Sequence, residues 1–264
     1  MKTGRLPIAV ALAIAFNAPL ALAAVPRLAG KPNLNGIWQA MNSANWDLEA
    51  HSAQKLASAW PFGALFAIPA GKSVVVGGKI PYLPEALKMR DSIRAGWPKS
   101  DPETYCYLPG IPRATYMPYP FQIVQAGADE DILMVYSYAT SNRTIYMRHH
   151  MTPPVDSWMG MSNGHWDGDT LVIETTGFNG RAHLDRAGDF FGPQLKVVER
   201  FTLKNENVLM YEATLTDPQT YSHPWTIRMP LYKHVEPNAE LLEYKCVPFA
   251  EELLYKDLEL PKKH

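Results

Sequence analysis

Apolar and polar residues alternate through much of the second half of the chain. The runs Phe121–Gln125, Ile132–Tyr138, Arg143–His149, Thr170–Thr175, Leu195–Leu203, Val208–Leu215, Trp225–Tyr232 and Leu241–Cys246 are rich in Val, Ile, Tyr, Phe and Trp, with Gly, Pro, Asn and Asp between them. A period of two sends successive side chains to opposite faces of a sheet, so these runs read as strands. Asp167-Gly168 between apolar runs marks a tight hairpin, and Asn205-Glu206-Asn207 marks a second. An earlier strand is predicted over Leu34–Gln39. Helical spacing is confined to Pro84–Trp97, where Pro84 suits the first helical position, and to a shorter stretch over Leu48–Trp60. The expected fold is all-β with one or two helices. An antiparallel meander of this length closes into a barrel or a strongly bent sheet, because closure removes unpaired edges. The helix Pro84–Trp97 is expected outside it or across one end.

The first residues change the picture of where the chain works. Lys2 and Arg5 precede an apolar run from Ile8 to Phe16, which leads to the small residues Ala21-Leu22-Ala23-Ala24. That order is a secretory signal peptide over residues 1–23, so the chain is expected to be exported, to the periplasm or outside the cell. The apolar run is shorter than the roughly 20 residues of a membrane span, and none is expected elsewhere. Removing the leader takes away two cations and moves the formal charge from −1 to −3. Such a surface gives no footprint for nucleic acid. Residues 24–264 are expected to form a single domain, a usual size for one β-barrel. Cys106 and Cys246 are either one disulfide, which an exported chain favours, or two separate thiols.

Candidate chemistry comes from charged residues on otherwise apolar strand faces. Leu195, Val197, Glu199, Phe201 and Leu203 share one face, which puts a carboxylate among hydrocarbon. Val208, Met210 and Glu212 repeat the arrangement. Thr144, Tyr146, Arg148 and His150 form a polar and aromatic face, Thr226, Arg228 and Tyr232 another, and Glu243 follows Leu241. A buried charge needs a partner, so Glu is expected to pair with Arg across neighbouring strands. One reading is a structural ion-pair network. The other is a barrel interior that holds a small apolar or aromatic molecule, lined by Tyr146, Glu212, Arg228, Trp225, Glu243 and His165. In an enzymatic version, a lyase, isomerase or hydrolase, Glu199 and His150 transfer protons and Arg148 stabilises an anion. The partner in either version is a small-molecule ligand or substrate.

Other motifs add less. Gly160-Met161-Ser162-Asn163-Gly164 matches the nucleophile elbow of serine hydrolases, but that elbow needs a strand before it and a helix after it. Here Pro153-Pro154 lies upstream and a hairpin follows. Asp185 or Asp217 with His223 would have to complete the triad. The histidines His149, His150, His165, His183, His223 and His234 show no ligand spacing, there is no glycine-rich nucleotide loop, and no metal or cofactor is expected.

The run Gly164-His165-Trp166-Asp167-Gly168-Asp169-Thr170-Leu171-Val172-Ile173-Glu174-Thr175-Thr176-Gly177-Phe178-Asn179 resembles the signature of a group of exported bacterial proteins. Ile80-Pro81-Tyr82, Pro84-Glu85-Ala86-Leu87, Cys106-Tyr107-Leu108-Pro109-Gly110-Ile111-Pro112-Arg113, Val198-Glu199-Arg200-Phe201 and Asp217-Pro218 carry the same likeness over nearly the whole mature chain. The resemblance implies export and brings no reaction with it. That group commonly has histidine and serine where this chain has Phe191 and Gly192, and often arginine at His165. Gly36 and Trp38 look like the opening strand of lipocalin-type barrels, which points the fold towards a lipocalin-like barrel.

Overall fold

The computed structural model describes residues 25–54 and 68–248. The predicted leader lies outside the described residues, as does the second half of the predicted Leu48–Trp60 helix, from residue 55 on. The described part of that helix, Leu48–Gln54, is not helical; it makes isolated bridges from His51 to Gly71 and from Gln54 to Ile68.

Two short strands, β1 (Arg27–Leu28) and β2 (Lys31–Pro32), pair with each other ahead of the barrel. The barrel itself is built from β3 (Gly36–Ala40), β4 (Phe121–Val124), β5 (Ile132–Tyr136), β6 (Asn142–Tyr146), β7 (Met161–Asp167), β8 (Thr170–Thr176), β9 (Lys196–Asn205), β10 (Val208–Thr216) and β11 (Trp225–Lys233). The strands follow one another around the wall, and β11 pairs with β3 to close it. Helix α1 (Pro84–Gly96) starts on its proline as predicted and buries only Ala86, so it lies on the outside. A 3-10 turn (Pro102–Tyr105) and a one-turn helix α2 (Arg113–Tyr116) complete the elements among the described residues.

The expected all-β closed barrel is present, with three local departures. Strand β7 had no counterpart among the predicted strands, because its inward positions are Ser162 and Gly164 rather than bulky apolar residues. Gly164 is small of necessity: a Cβ there would meet Ile145 Cγ2 and Met147 Sδ at 2.6 Å. The meander is interrupted once, since β6 and β7 pair in parallel and the chain has to return along the barrel between them. The predicted strand Leu241–Cys246 is an irregular tail held by one bridge, Tyr138 to Tyr244, and by the Cys106–Cys246 disulfide.

Alternation decides what fills the barrel. Val197, Glu199, Phe201 and Leu203 of β9, Leu209, Tyr211, Ala213 and Leu215 of β10, and Trp225, Ile227, Met229 and Leu231 of β11 are all buried. Trp38, Phe121, Met134, Tyr136, Ile145, Leu171 and Ile173 join them in one continuous core. Glu199, Ile145, Ile173, Phe201, Leu209 and Tyr211 have 0% of their surface exposed, which leaves no water-sized void against them. The interior is therefore a packed core.

The strand registers also sort the connections. The end of β3, the start of β4, the end of β8, the start of β9, the end of β10 and the start of β11 all lie at one end of the barrel. That end carries the long connections 41–120, 177–195 and 217–224, while the other has the tight turns after β7 and β9. Loops held by a rigid wall are the usual place for binding and catalysis.

Candidate functional site

Glu199 sits in the core as its strand face predicted, but its partner is Arg143. Arg143 Nη1 and Nη2 donate to Glu199 Oε2 and Oε1 at 2.7 and 3.1 Å, and the Tyr211 hydroxyl donates to Oε1 at 2.9 Å. Arg143 also reaches Ser162 Oγ at 3.4 Å, and Ser162 bonds Thr175 Oγ1 at 2.9 Å. Burial pulls against the Arg143 charge, yet Glu199 beside it raises the guanidinium above its ordinary value. Such a pair is satisfied on several sides and sealed from solvent, which is the structural ion-pair reading of these strands.

The proposed catalytic trio is not assembled. In β6 the inward residues are Arg143 and Ile145, so Arg148 and His150 lie beyond the strand end, exposed. Arg148 pairs with Glu130, and His150 Nε2 contacts the Gly164 carbonyl oxygen at 3.1 Å. The proposed lining is similarly dispersed. Glu212 and Arg228 face out of the barrel and bridge each other at 2.5 Å, because in β10 the chargeless set Leu209, Tyr211, Ala213 and Leu215 takes the interior. Tyr146 is half-buried on the outer face, His165 and Glu243 are exposed, and Trp225 alone of the set is in the core, edge-on to Tyr221 at 5.4 Å. Ser162 is the second residue of strand β7 and faces the interior, so no nucleophile elbow forms. His223 contacts Ser222, and Asp217 accepts from Gly192 N and Thr220 Oγ1, both at 2.7 Å.

The polar residues that do converge lie at the loop-bearing end. Arg113 of α2 is buried there. It donates to Asp101 Oδ1 and Oδ2 at 2.9 Å each, to Glu103 Oε2 at 2.5 Å and to Asn45 Oδ1 at 2.8 Å. Arg186 holds Glu103 from the other side through two bonds of 2.8 and 2.7 Å, and lies 4.4 Å over the Trp46 ring. Burial alone would raise the Asp101 carboxyl, but the Arg113 fork overrides it and holds Asp101 below its usual range. Burial pushes His183, at the edge of this network, down to about 4, so its ring is neutral.

Beside that network three carboxyls meet, from Asp47, Asp185 and Asp189, at 7%, 0% and 1% exposure. The loop 183–190 delivers two of them. Asp189 N donates to Asp185 Oδ1 at 3.0 Å, and Leu48 N to Asp185 Oδ2 at 2.9 Å. Gly188 (φ +91°) lets this loop touch α1, since a Cβ there would stand 2.7 Å from Arg94 N and 2.9 Å from Arg90 O. Tyr82 donates to Asp189 Oδ1 at 3.0 Å. Burial, and then the neighbouring Asp189, raise Asp185 well above the carboxylate range; burial raises Asp189 as well. Asp47 opens onto a polar pocket of ≈ 480 Å³ that also touches Glu49, His51, Lys79, Arg90 and Arg94.

No family model, curated protein or solved structure matches this chain.

A second concavity, of ≈ 730 Å³, runs along the outer wall past the end of β3. Met41, Val74, Pro118, Pro230 and Tyr232 form its apolar walls, with Asn42, Lys72 and Arg228 among its polar residues. Met41 and Tyr232 are 70% and 43% exposed there. Strand alternation could not point to Arg113, Asp101, Asp47, Asp185 or Asp189, because none lies on a barrel strand. Tyr82 and Arg113 do fall in the runs Ile80–Tyr82 and Cys106–Arg113 that carry the resemblance, and that was the available signal.

Proposed function

We propose that this chain is an exported β-barrel protein, periplasmic or secreted, that binds a small apolar or aromatic molecule, and that the ligand lies in the outer-wall groove. The observation that carries the reading is the exposure of Met41 and Tyr232 on the walls of that groove. Large apolar side chains left in water at a concavity of drug-like size mark a binding surface. The packed interior directs the ligand outward, and sealed Glu199 has no opening for a substrate. Among the described residues no helix is long and apolar enough to cross a membrane, and the Cys106–Cys246 bridge fits an oxidising compartment. The likeness to exported bacterial proteins belongs to the same proposal.

The test uses 8-anilinonaphthalene-1-sulfonate as an aromatic probe on the purified mature chain. Saturable fluorescence enhancement is expected, with about tenfold weaker binding, or about 1.4 kcal/mol, in Met41→Asp and in Tyr232→Ala. Binding by both variants as tight as by wild type overturns the groove. For export, the chain is expected in the periplasmic or extracellular fraction and to stay in the cytoplasm once residues 1–23 are removed; a cytoplasmic full-length chain overturns that part.

A further inference from the structure

We propose that Asp47, Asp185 and Asp189 form a binding site for a divalent cation of the oxygen-ligand class, Ca²⁺ in particular. One carboxylate oxygen from each lies within 4.8 Å of the other two. Oxygens at that spacing are reached from one point by Ca²⁺, whose bonds to oxygen run about 2.3–2.6 Å, with little movement of the chain. No histidine or cysteine belongs to the trio, which argues against zinc and copper. Mg²⁺ holds on to several of its waters and favours one or two carboxylates, and three buried ones suit it poorly.

A second, independent observation points to a ligand. Asp189 Oδ2 is buried and has no hydrogen-bond partner among the described residues, although Asp189 Oδ1 takes the Tyr82 hydroxyl. The Asp185 and Asp189 carboxyls lie within hydrogen-bonding reach of each other, but both Asp185 oxygens already accept backbone N–H groups. A shared proton or a bound cation has to lie between these two acceptors. Buried acceptors are nearly always satisfied, and the third carboxylate beside them, from Asp47, favours the cation. Two cations border the trio: Arg94 Nη2 stands 3.6 Å from Asp47 Oδ2, and Arg90, over the Tyr82 ring, acts on Asp189. The pocket lined by Asp47, Glu49 and Lys79 supplies a way in and room for the water ligands that Ca²⁺ needs beyond three carboxylates.

The site is tested on the full mature chain, stripped with a chelating resin and titrated with CaCl₂ while thermal unfolding is followed. Wild type is expected to rise saturably in Tm, and Asp47→Asn to need at least tenfold more Ca²⁺. Asp47 is the variant of choice because it borders the pocket. Direct binding guards against a variant that folds poorly: Tb³⁺ luminescence, sensitised through Tyr82, should report one tight ion in wild type, displaced by Ca²⁺ and weakened in Asp47→Asn and Asp189→Asn. A wild-type chain with no saturable response to Ca²⁺ or Tb³⁺ overturns the site, as does a response in both variants equal to that of wild type. If that unresponsive wild type also loses stability as pH rises above neutrality while Asp189→Asn does not, the gap holds a shared proton and the cation proposal is wrong.

Discussion

At the scale of residues, the strongest commitments are buried charges whose partners are fixed by geometry. Glu199 and Arg143 share two hydrogen bonds in a sealed core, so removing one charge strands the other. Glu199→Gln should cost about 3–5 kcal/mol in urea unfolding, and the double change Arg143→Met with Glu199→Met should recover most of it, because an apolar pair leaves no uncompensated ion. Asp101 gives a pH dependence. Its folded-state value is depressed, mainly because Arg113 outweighs burial, so its contribution is complete above the unfolded value of about 3.9 and is lost as pH falls through the lower folded value. Stability measured from pH 5 down to pH 2 should therefore fall less steeply in Asp101→Asn than in wild type, from a lower plateau at pH 7. Glu199 was legible as a buried acid because Val197 and Phe201 flank it on one face. Arg143 was not, because nothing along β6 says which of two mixed faces turns inward.

Among elements, the same ambiguity explains β10. Both of its faces carry apolar residues, and only the closed wall places Leu209 and Tyr211 inside and Glu212 outside, with the register shifted between Val208 and Leu209 at the hairpin. A one-residue shift exchanges the two faces of a strand, and a period of two cannot reveal that shift. Strand β7 hid for the opposite reason: of its inward residues, Gly164 is held small by Ile145 and Met147, and Ser162 is polar and bonds Thr175. The contact between loop 183–190 and α1 depends on Gly188. Gly188→Ala requires both a left-handed backbone and room where Arg94 N already stands, and should cost about 1–3 kcal/mol in Tm-derived stability. Circular dichroism of that variant should retain the β signal, since the barrel strands do not touch the position.

For the whole molecule, the wall is one closed sheet, and the Arg113 network and the Asp47, Asp185 and Asp189 carboxyls gather at the end with the long connections. The Cys106–Cys246 bridge, spanning 140 residues, pins the irregular tail beside that end. Replacing both cysteines with serine should lower stability by about 2–5 kcal/mol, read by chemical unfolding under non-reducing conditions. The approximate limits of most barrel strands, the helix starting at Pro84 and the closure of the sheet follow from local alternation and turn chemistry, since backbone pairing and burial of one face act on neighbours along the chain. The inward face of β6 and β10, the parallel step at β7, and the meeting of Asp47 with Asp185 and Asp189 depend on contacts between residues far apart in the chain. Hydrophobic patterning ranks faces by burial, but it carries no information on which distant loops a closed wall brings together.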